Sequence, residues 1–254
     1  MQFIDSHVHL QDFKQRCATE IIAAAQQAGV RKFVCVAAAE KDWPEIARLS
    51  GAYPDTVIPA FGLHPWYAAE AETGWIERLE KYVQDFPSAL VGEAGLDFYR
   101  SKEAGPQEQV FAAQLELARE YRRPLLIHAV KAQEAMEKFW NLLPEKFVFH
   151  SYNGKAEFLK KIIRQGGYAG FNFSILKNPA RQEVLREIPD DRILLETDGP
   201  YQGPVRGQEV YPEQLPELAA EIAKLRGENI NELAQKTYEN SLRFIKRRER
   251  KCKN

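Results

Sequence analysis

The chain contains five histidines, and each stands at or near the end of a short β-type run: His7 and His9, then His64, His128 and His150. The i, i+2 spacing of His7-Val8-His9 puts both imidazoles on one side of a strand, because side chains alternate with period two. Two neighbouring imidazoles can bind one borderline metal ion. Carboxylates occupy comparable places. Glu93 lies in Val91-Gly92-Glu93-Ala94-Gly95-Leu96-Asp97, an apolar, Gly-flanked segment where an unpaired charge is costly to bury. Asp198 ends the buried-type run Ile193-Leu194-Leu195-Glu196-Thr197-Asp198. Taken singly, each has an ordinary explanation, such as a hydrogen-bonded core histidine or an acid capping a turn. Taken together, His7, His9, Glu93, His128, His150 and Asp198 form a mixed N/O ligand set suited to zinc, manganese or magnesium. A bridging carboxylate can hold two such ions roughly 3.5 to 4 Å apart. The chemistry implied is hydrolysis by a metal-activated water, with Asp198 accepting and relaying its proton.

Residues so far apart meet only if strand ends converge. Short β-branched and aromatic runs near 3–10, 32–38, 57–64, 89–96, 124–129, 147–152, 168–174 and 192–197 read as strands. Amphipathic stretches near 18–28, 42–52, 74–85, 106–121, 131–142, 155–165 and 179–186 read as the helices between them, with two more near 213–226 and 229–247. Strand–helix alternation forces parallel strands through crossover helices. Eight such units in about 250 residues is the arithmetic of a (β/α)₈ TIM barrel, whose C-terminal strand ends share one mouth. An open doubly wound sheet is disfavoured because Asp5-Ser6-His7-Val8-His9 occupies the place of its Gly-rich phosphate turn. The last helix shows an apolar stripe of Ile230, Leu233, Ala234, Thr237, Ser241, Phe244 and Ile245, with Asn229 and Glu232 placed as a cap. No linker or repeat divides the chain, so residues 1–254 read as a single domain ending in a basic tail, 246–254.

Composition narrows the classes further. The 254 residues are 44% hydrophobic and 28% charged, which excludes a disordered chain or a disulfide scaffold. With 35 basic against 36 acidic residues, no global positive field advertises a nucleic-acid partner. Cys17, Cys35 and Cys252 are odd in number and lack C-x-x-C spacing, which fits a reduced, cytoplasmic setting. The opening residues carry no secretory signal pattern, and the longest apolar run, Phe33 to Ala39, is far too short for a membrane span.

Across nearly its whole length the chain resembles the TatD family of metal-dependent hydrolases, within the amidohydrolase superfamily. The matching stretches are Phe3-Ile4-Asp5-Ser6-His7-Val8-His9, Gly62-Leu63-His64-Pro65, Gly92-Glu93-Ala94-Gly95-Leu96-Asp97-Phe98-Tyr99, Pro124-Leu125-Leu126-Ile127-His128 and Leu194-Leu195-Glu196-Thr197-Asp198-Gly199-Pro200-Tyr201. The resemblance implies that His7, His9, Glu93 and Asp198 hold one metal and that Glu93, His128 and His150 hold the second, with Glu93 as the bridge. It places His64 near the metals, orienting a substrate phosphate. It also implies deoxyribonuclease activity, exonucleolytic in the 3′–5′ sense, on DNA that is single-stranded or at ends. The sequence departs from the family where an arginine often follows the fifth-strand histidine by two residues: Val130 stands there, followed by Lys131. Lysine offers a point charge where arginine gives a bidentate contact. A second departure is Ser151-Tyr152-Asn153-Gly154 after His150.

Substrate contacts are therefore expected from His64, Arg100, Lys131, Asn153 and Arg206, with Tyr99 and Tyr152 as candidate stacking surfaces for bases. Two other functions fit the same ligands. One is amide, ester or lactone hydrolysis, such as deacylation of a charged tRNA, for which Val130 is the main support. The other is a metal-stabilised binding module without turnover.

Overall fold

A computed structural model describes residues 1–100 and 104–246. Eight strands lie side by side in sequence order: β1 (Phe3–Val8), β2 (Val30–Val36), β3 (Val57–Phe61), β4 (Leu90–Asp97), β5 (Leu125–Val130), β6 (Phe147–Phe149), β7 (Tyr168–Phe171) and β8 (Ile193–Leu195). Every sequential pair is parallel. The helices are α1 (Ala18–Gln27), α2 (Trp43–Ala52), α3 (Trp75–Asp85), α4 (Ala104–Glu120), α5 (Gln133–Met136), α6 (Ala156–Arg164), α7 (Glu183–Glu187), α8 (Leu215–Arg226) and α9 (Ile230–Ile245). This is the expected parallel, nearly closed barrel in a single domain.

The seam between β8 and β1 closes mostly beyond the regular part of β8. The Ser6 hydroxyl donates to the Leu195 carbonyl at 3.0 Å, the Asp198 N–H to the His7 carbonyl at 2.9 Å, and the His9 N–H to the Gly199 carbonyl at 2.8 Å. The buried Asp5 carboxylate accepts from the Thr197 N–H at 3.0 Å and its hydroxyl at 2.6 Å. Asp5 thus ties the first strand to the segment carrying Asp198. Burial pushes its carboxyl up to about 7, against the opposing effect of the Thr197 donors.

Alternation along the strands divides the apolar residues into two sets. Val34, Val36, Ile58, Ala60, Leu90, Leu126, Val148 and Leu194 fill the barrel, and Phe244 from α9 packs with them. Their neighbours, such as Phe33, Cys35, Val57, Val91, Leu125, Ile127 and Ile193, pack outward with the helices. Burying a strand on both faces is what makes these runs continuously apolar.

Two expectations change in detail. The region 131–142 is one short turn of α5 followed by a 3₁₀ segment, Glu137–Leu142, rather than a long helix. Several strands also stop earlier than their apolar runs, so that His9, His64, His150 and Asp198 lie just beyond the last ladder residue. Asn229 caps α9 by accepting from the Asn231 N–H, and Leu233, Ala234, Thr237, Ser241 and Phe244 are buried as the stripe requires. Residues 247–254 of the basic tail, Cys252 among them, lie outside the described residues. Among the described residues no helix is long and apolar enough to cross a membrane.

Candidate metal centre

His128, His150 and Asp198 reach the barrel mouth by plain alternation. Each has the parity of an inward residue on its own strand, Leu126, Val148 and Leu194 respectively. Glu93 does not. Leu90 faces inward and Val91 outward, so uninterrupted period two would turn Glu93 toward the helices. A register shift between Val91 and Ala94 restores it to the interior, and Ala94 and Leu96 then face outward. β1 has the same device, a shift between Asp5 and Val8, and there Val8 packs outward. Such irregularities re-aim side chains. The close β4–β5 approach also requires Gly95: at φ +149°, a Cβ there would lie 2.0 Å from the His128 carbonyl oxygen.

The two oxygens of Glu93 are shared between two groups of imidazoles. Oε2 lies 3.4 Å from His7 Nε2 and 3.8 Å from His9 Nε2, and Asp198 Oδ1 lies 3.7 and 3.5 Å from the same two nitrogens. Oε1 lies 2.7 Å from His128 Nδ1 and 2.7 Å from His150 Nε2. The six residues expected as ligands are therefore brought together, with Glu93 between the halves. His64 joins them, its Nε2 3.4 Å from Glu93 Oε1. Groupings compact enough to hold one ion include His7, His9 and Asp198, but also His64, Glu93 and His128, and His7, His150 and Glu196. His64 and Glu196 are thus alternative donors that the sequence reading did not assign as ligands.

Hydrogen bonds behind two of the rings set which of their nitrogens faces this centre. His9 Nδ1 is 2.9 Å from the Val36 carbonyl, an acceptor, so Nδ1 carries a proton and Nε2 is the nitrogen that would face a metal. His128 Nε2 is 3.2 Å from Asp97 Oδ2, which holds the ring with Nδ1 toward Glu93, the nitrogen that would face a metal there. Asp97 is itself held by the Trp66 indole N–H at 2.6 Å and by the N–H groups of Tyr99 and Arg100. His64 Nδ1 accepts from the Trp66 N–H at 3.1 Å. His150 Nδ1 stands 3.6 Å from Glu196 Oε1, too far for a hydrogen bond, and is a buried nitrogen without one, as is His7 Nδ1.

Imidazole nitrogens and ionised carboxylates, facing one another at ligand-like spacings, fit a divalent cation that would take the place of the shared protons. Burial alone would raise Glu93, but the facing imidazoles, led by His150 and His64, hold it well below the usual carboxylate range. Asp198 is likewise held low against burial, chiefly by His9. Burial would lower His9, yet the Asp198 carboxylate lifts it to about 9, while burial wins at His64 and takes it to about 4. The field that holds a proton on His9 is the field that would attract a metal. Asp198 and Ser151 lie in the left-handed region, at φ +57° and +47°, and Lys131 at +55°, all three at the mouth. Such conformations are costly for these residues and gather at functional sites.

The expected substrate residues separate. A cavity of about 800 Å³ opens beside His150, and Lys131 and Asn153 line it together with Val130. Arg100 stacks its guanidinium over the Trp66 ring, 4.2 Å from the centroid. Arg206 is exposed on the loop after β8 and does not line this cavity. Tyr99 is 80% exposed, whereas Tyr152 is buried against Phe171 with its hydroxyl on the Lys155 carbonyl, a packing role. The sequence reading missed Asp97, Glu196 and Asp5 as supporting groups. Glu196 was within reach, since it shares the parity of Leu194 and Asp198.

The sequence pattern of the TatD-related DNases matches residues 4–246. This chain belongs to that family. Among TatD-family relatives, a 3′-5′ ssDNA/RNA exonuclease TatD of Erwinia tasmaniensis is 31% identical over 246 residues, covering 89% of this chain and 92% of that one. The metal-dependent hydrolase YabD of Bacillus subtilis is 29% identical, covering 95% and 98%. The solved TatD homologue YjjV from Escherichia coli superposes with a TM-score of 0.87 at 27% identity, covering 94% of this chain and 96% of that one. This TatD-family chain is accordingly a metal-dependent hydrolase of the amidohydrolase superfamily.

Proposed function

We propose that the protein is a deoxyribonuclease of the 3′–5′ exonucleolytic kind, cleaving phosphodiesters of single-stranded DNA or of DNA ends at a two-metal centre. The observation that carries this reading is the division of Glu93, one oxygen toward His7 and His9 and the other toward His128 and His150. A carboxylate so shared suits two ions, and a pair of zinc, manganese or magnesium ions would supply Lewis acidity and a nucleophile at neutral pH. His7, His9, Glu93 and Asp198 would hold one, and Glu93, His128 and His150 the other. Asp198, ionised and at the mouth, is positioned to take a proton from the attacking water at Oδ1. Asp97 fixes the ring of His128. The exonuclease function of the Erwinia relative supports the choice of substrate.

The test is hydrolysis of end-labelled single-stranded DNA by metal-stripped protein after addition of magnesium, manganese or zinc, beside an Asp198→Asn control. Metal-dependent shortening, lost in the control, is the expected result. Protein that binds metal but shortens no DNA under any of these ions refutes the nuclease reading. The apolar Val130 in the cavity lining favours ester or amide hydrolysis as the second reading, and acyl substrates would then be tested next.

A further inference from the structure

The cavity beside His150 differs chemically from the metal cluster it adjoins. It lies between the segments following β5 and β6, and its volume of about 800 Å³ is within the range of sites that enclose small organic groups. Val130, Phe149 and Phe158 give it apolar walls, and Lys131, Lys155 and Arg181 bring positive charge to its lining, against, among the described residues, the single carboxylate of Glu134. Lys138, also in the lining, is paired with Glu108, whereas among the described residues none of Lys131, Lys155 and Arg181 is ion-paired to a carboxylate. His150 belongs to both the cavity and the metal cluster, so the cavity adjoins the centre at that residue.

We propose that this cavity is a nucleobase subsite: it takes the base adjoining the reacting phosphodiester, and the cations of its lining hold the neighbouring phosphate. The assignment rests on the nuclease reading and deepens it by naming what the enzyme grips beyond the scissile bond. A base has apolar faces that suit the walls, and a phosphodiester is the anion that follows a base along the strand. A solvent-filled surface recess would make no such distinction between a base and its absence.

The experiment compares short dye-labelled single-stranded oligonucleotides that are intact or carry an abasic residue at either the terminal or the penultimate position. Hydrolysis is followed with the metal-loaded enzyme, and binding by fluorescence anisotropy with metal-loaded Asp198→Asn protein. Removing the base at one of the two positions is expected to weaken binding roughly tenfold, and Val130→Phe, which narrows the cavity at an apolar wall, to reduce that preference. Lys155→Gln is expected to lower the slope of log K against log salt by about 0.7, the single-strand value for one phosphate contact. Equal binding of intact and abasic strands overturns the subsite, whatever the hydrolysis. So does a preference left unchanged in folded Val130→Phe. Base-dependent binding without hydrolysis leaves the nucleobase site standing and removes the nuclease reading, while hydrolysis indifferent to the base does the reverse. Neither binding nor hydrolysis overturns both.

Discussion

The inside of the barrel and its mouth are made by the same strands a few residues apart, yet they obey opposite rules. Leu90, Leu126, Val148 and Leu194 fill the interior with side chains that carry no polar atom. Three residues beyond Leu90, and two beyond Leu126, Val148 and Leu194, come Glu93, His128, His150 and Glu196, with Asp198 two further on. With Asp5, His7, His9 and Asp97 these nearly all lie buried. Burying the interior releases water from apolar surface, while burying the mouth removes charge from water and must be offset by partners. The first region contributes chiefly stability, while the second gathers the groups of the metal centre, with Asp5 also tying the seam between β8 and β1. Charges collected at such expense indicate a site shaped for a cation rather than for folding alone.

This contrast can be broken at either end. The largest effect is expected from Glu93→Gln, which keeps the shape but removes the shared negative charge. Turnover should fall roughly three orders of magnitude, about 4 kcal/mol, with bound metal, read by elemental mass spectrometry, falling in parallel. An unchanged metal content would separate Glu93 from the ligand set. Leu126→Ala works on the other region, and should cost about 3 kcal/mol of stability in a denaturant titration while metal content per folded protein stays the same. If the mutation empties the metal site as well, the two regions are not independent.

Smaller changes sharpen the boundary. Thr197→Val withdraws a hydroxyl from the buried Asp5 carboxylate at the β8–β1 seam, and a stability loss of about 2 kcal/mol is expected. A thermal or chemical unfolding curve that does not move would deny the seam this role. Asp97→Asn weakens the support behind His128 without touching the centre directly. Metal affinity, measured by competition with a chelator, should drop roughly tenfold, and an affinity equal to that of the unmodified protein would reduce Asp97 to a partner of Trp66 alone.

The sequence by itself determined the barrel and half of the centre, because both rest on local periodicity. Eight apolar runs alternating with amphipathic stretches specify parallel strands, and histidines or acids at the ends of those runs must then gather at one mouth. His128, His150 and Asp198 needed nothing more than strand parity. Glu93 needed tertiary structure: strict alternation from Leu90 points it at the helices, and only the shift in register against β5 turns it inward. The shift between Asp5 and Val8 against β2 does the same for His7 and His9. The early end of β6, the short α5 and the cavity beside Val130 were equally hidden, because a long apolar run does not record where its hydrogen-bonded ladder stops. Asp97 behind His128 and Asp5 beneath Thr197 are set by packing between strands distant in sequence. Local pattern fixes which residues can face a site; the pairing of whole strands decides which atom of each one does.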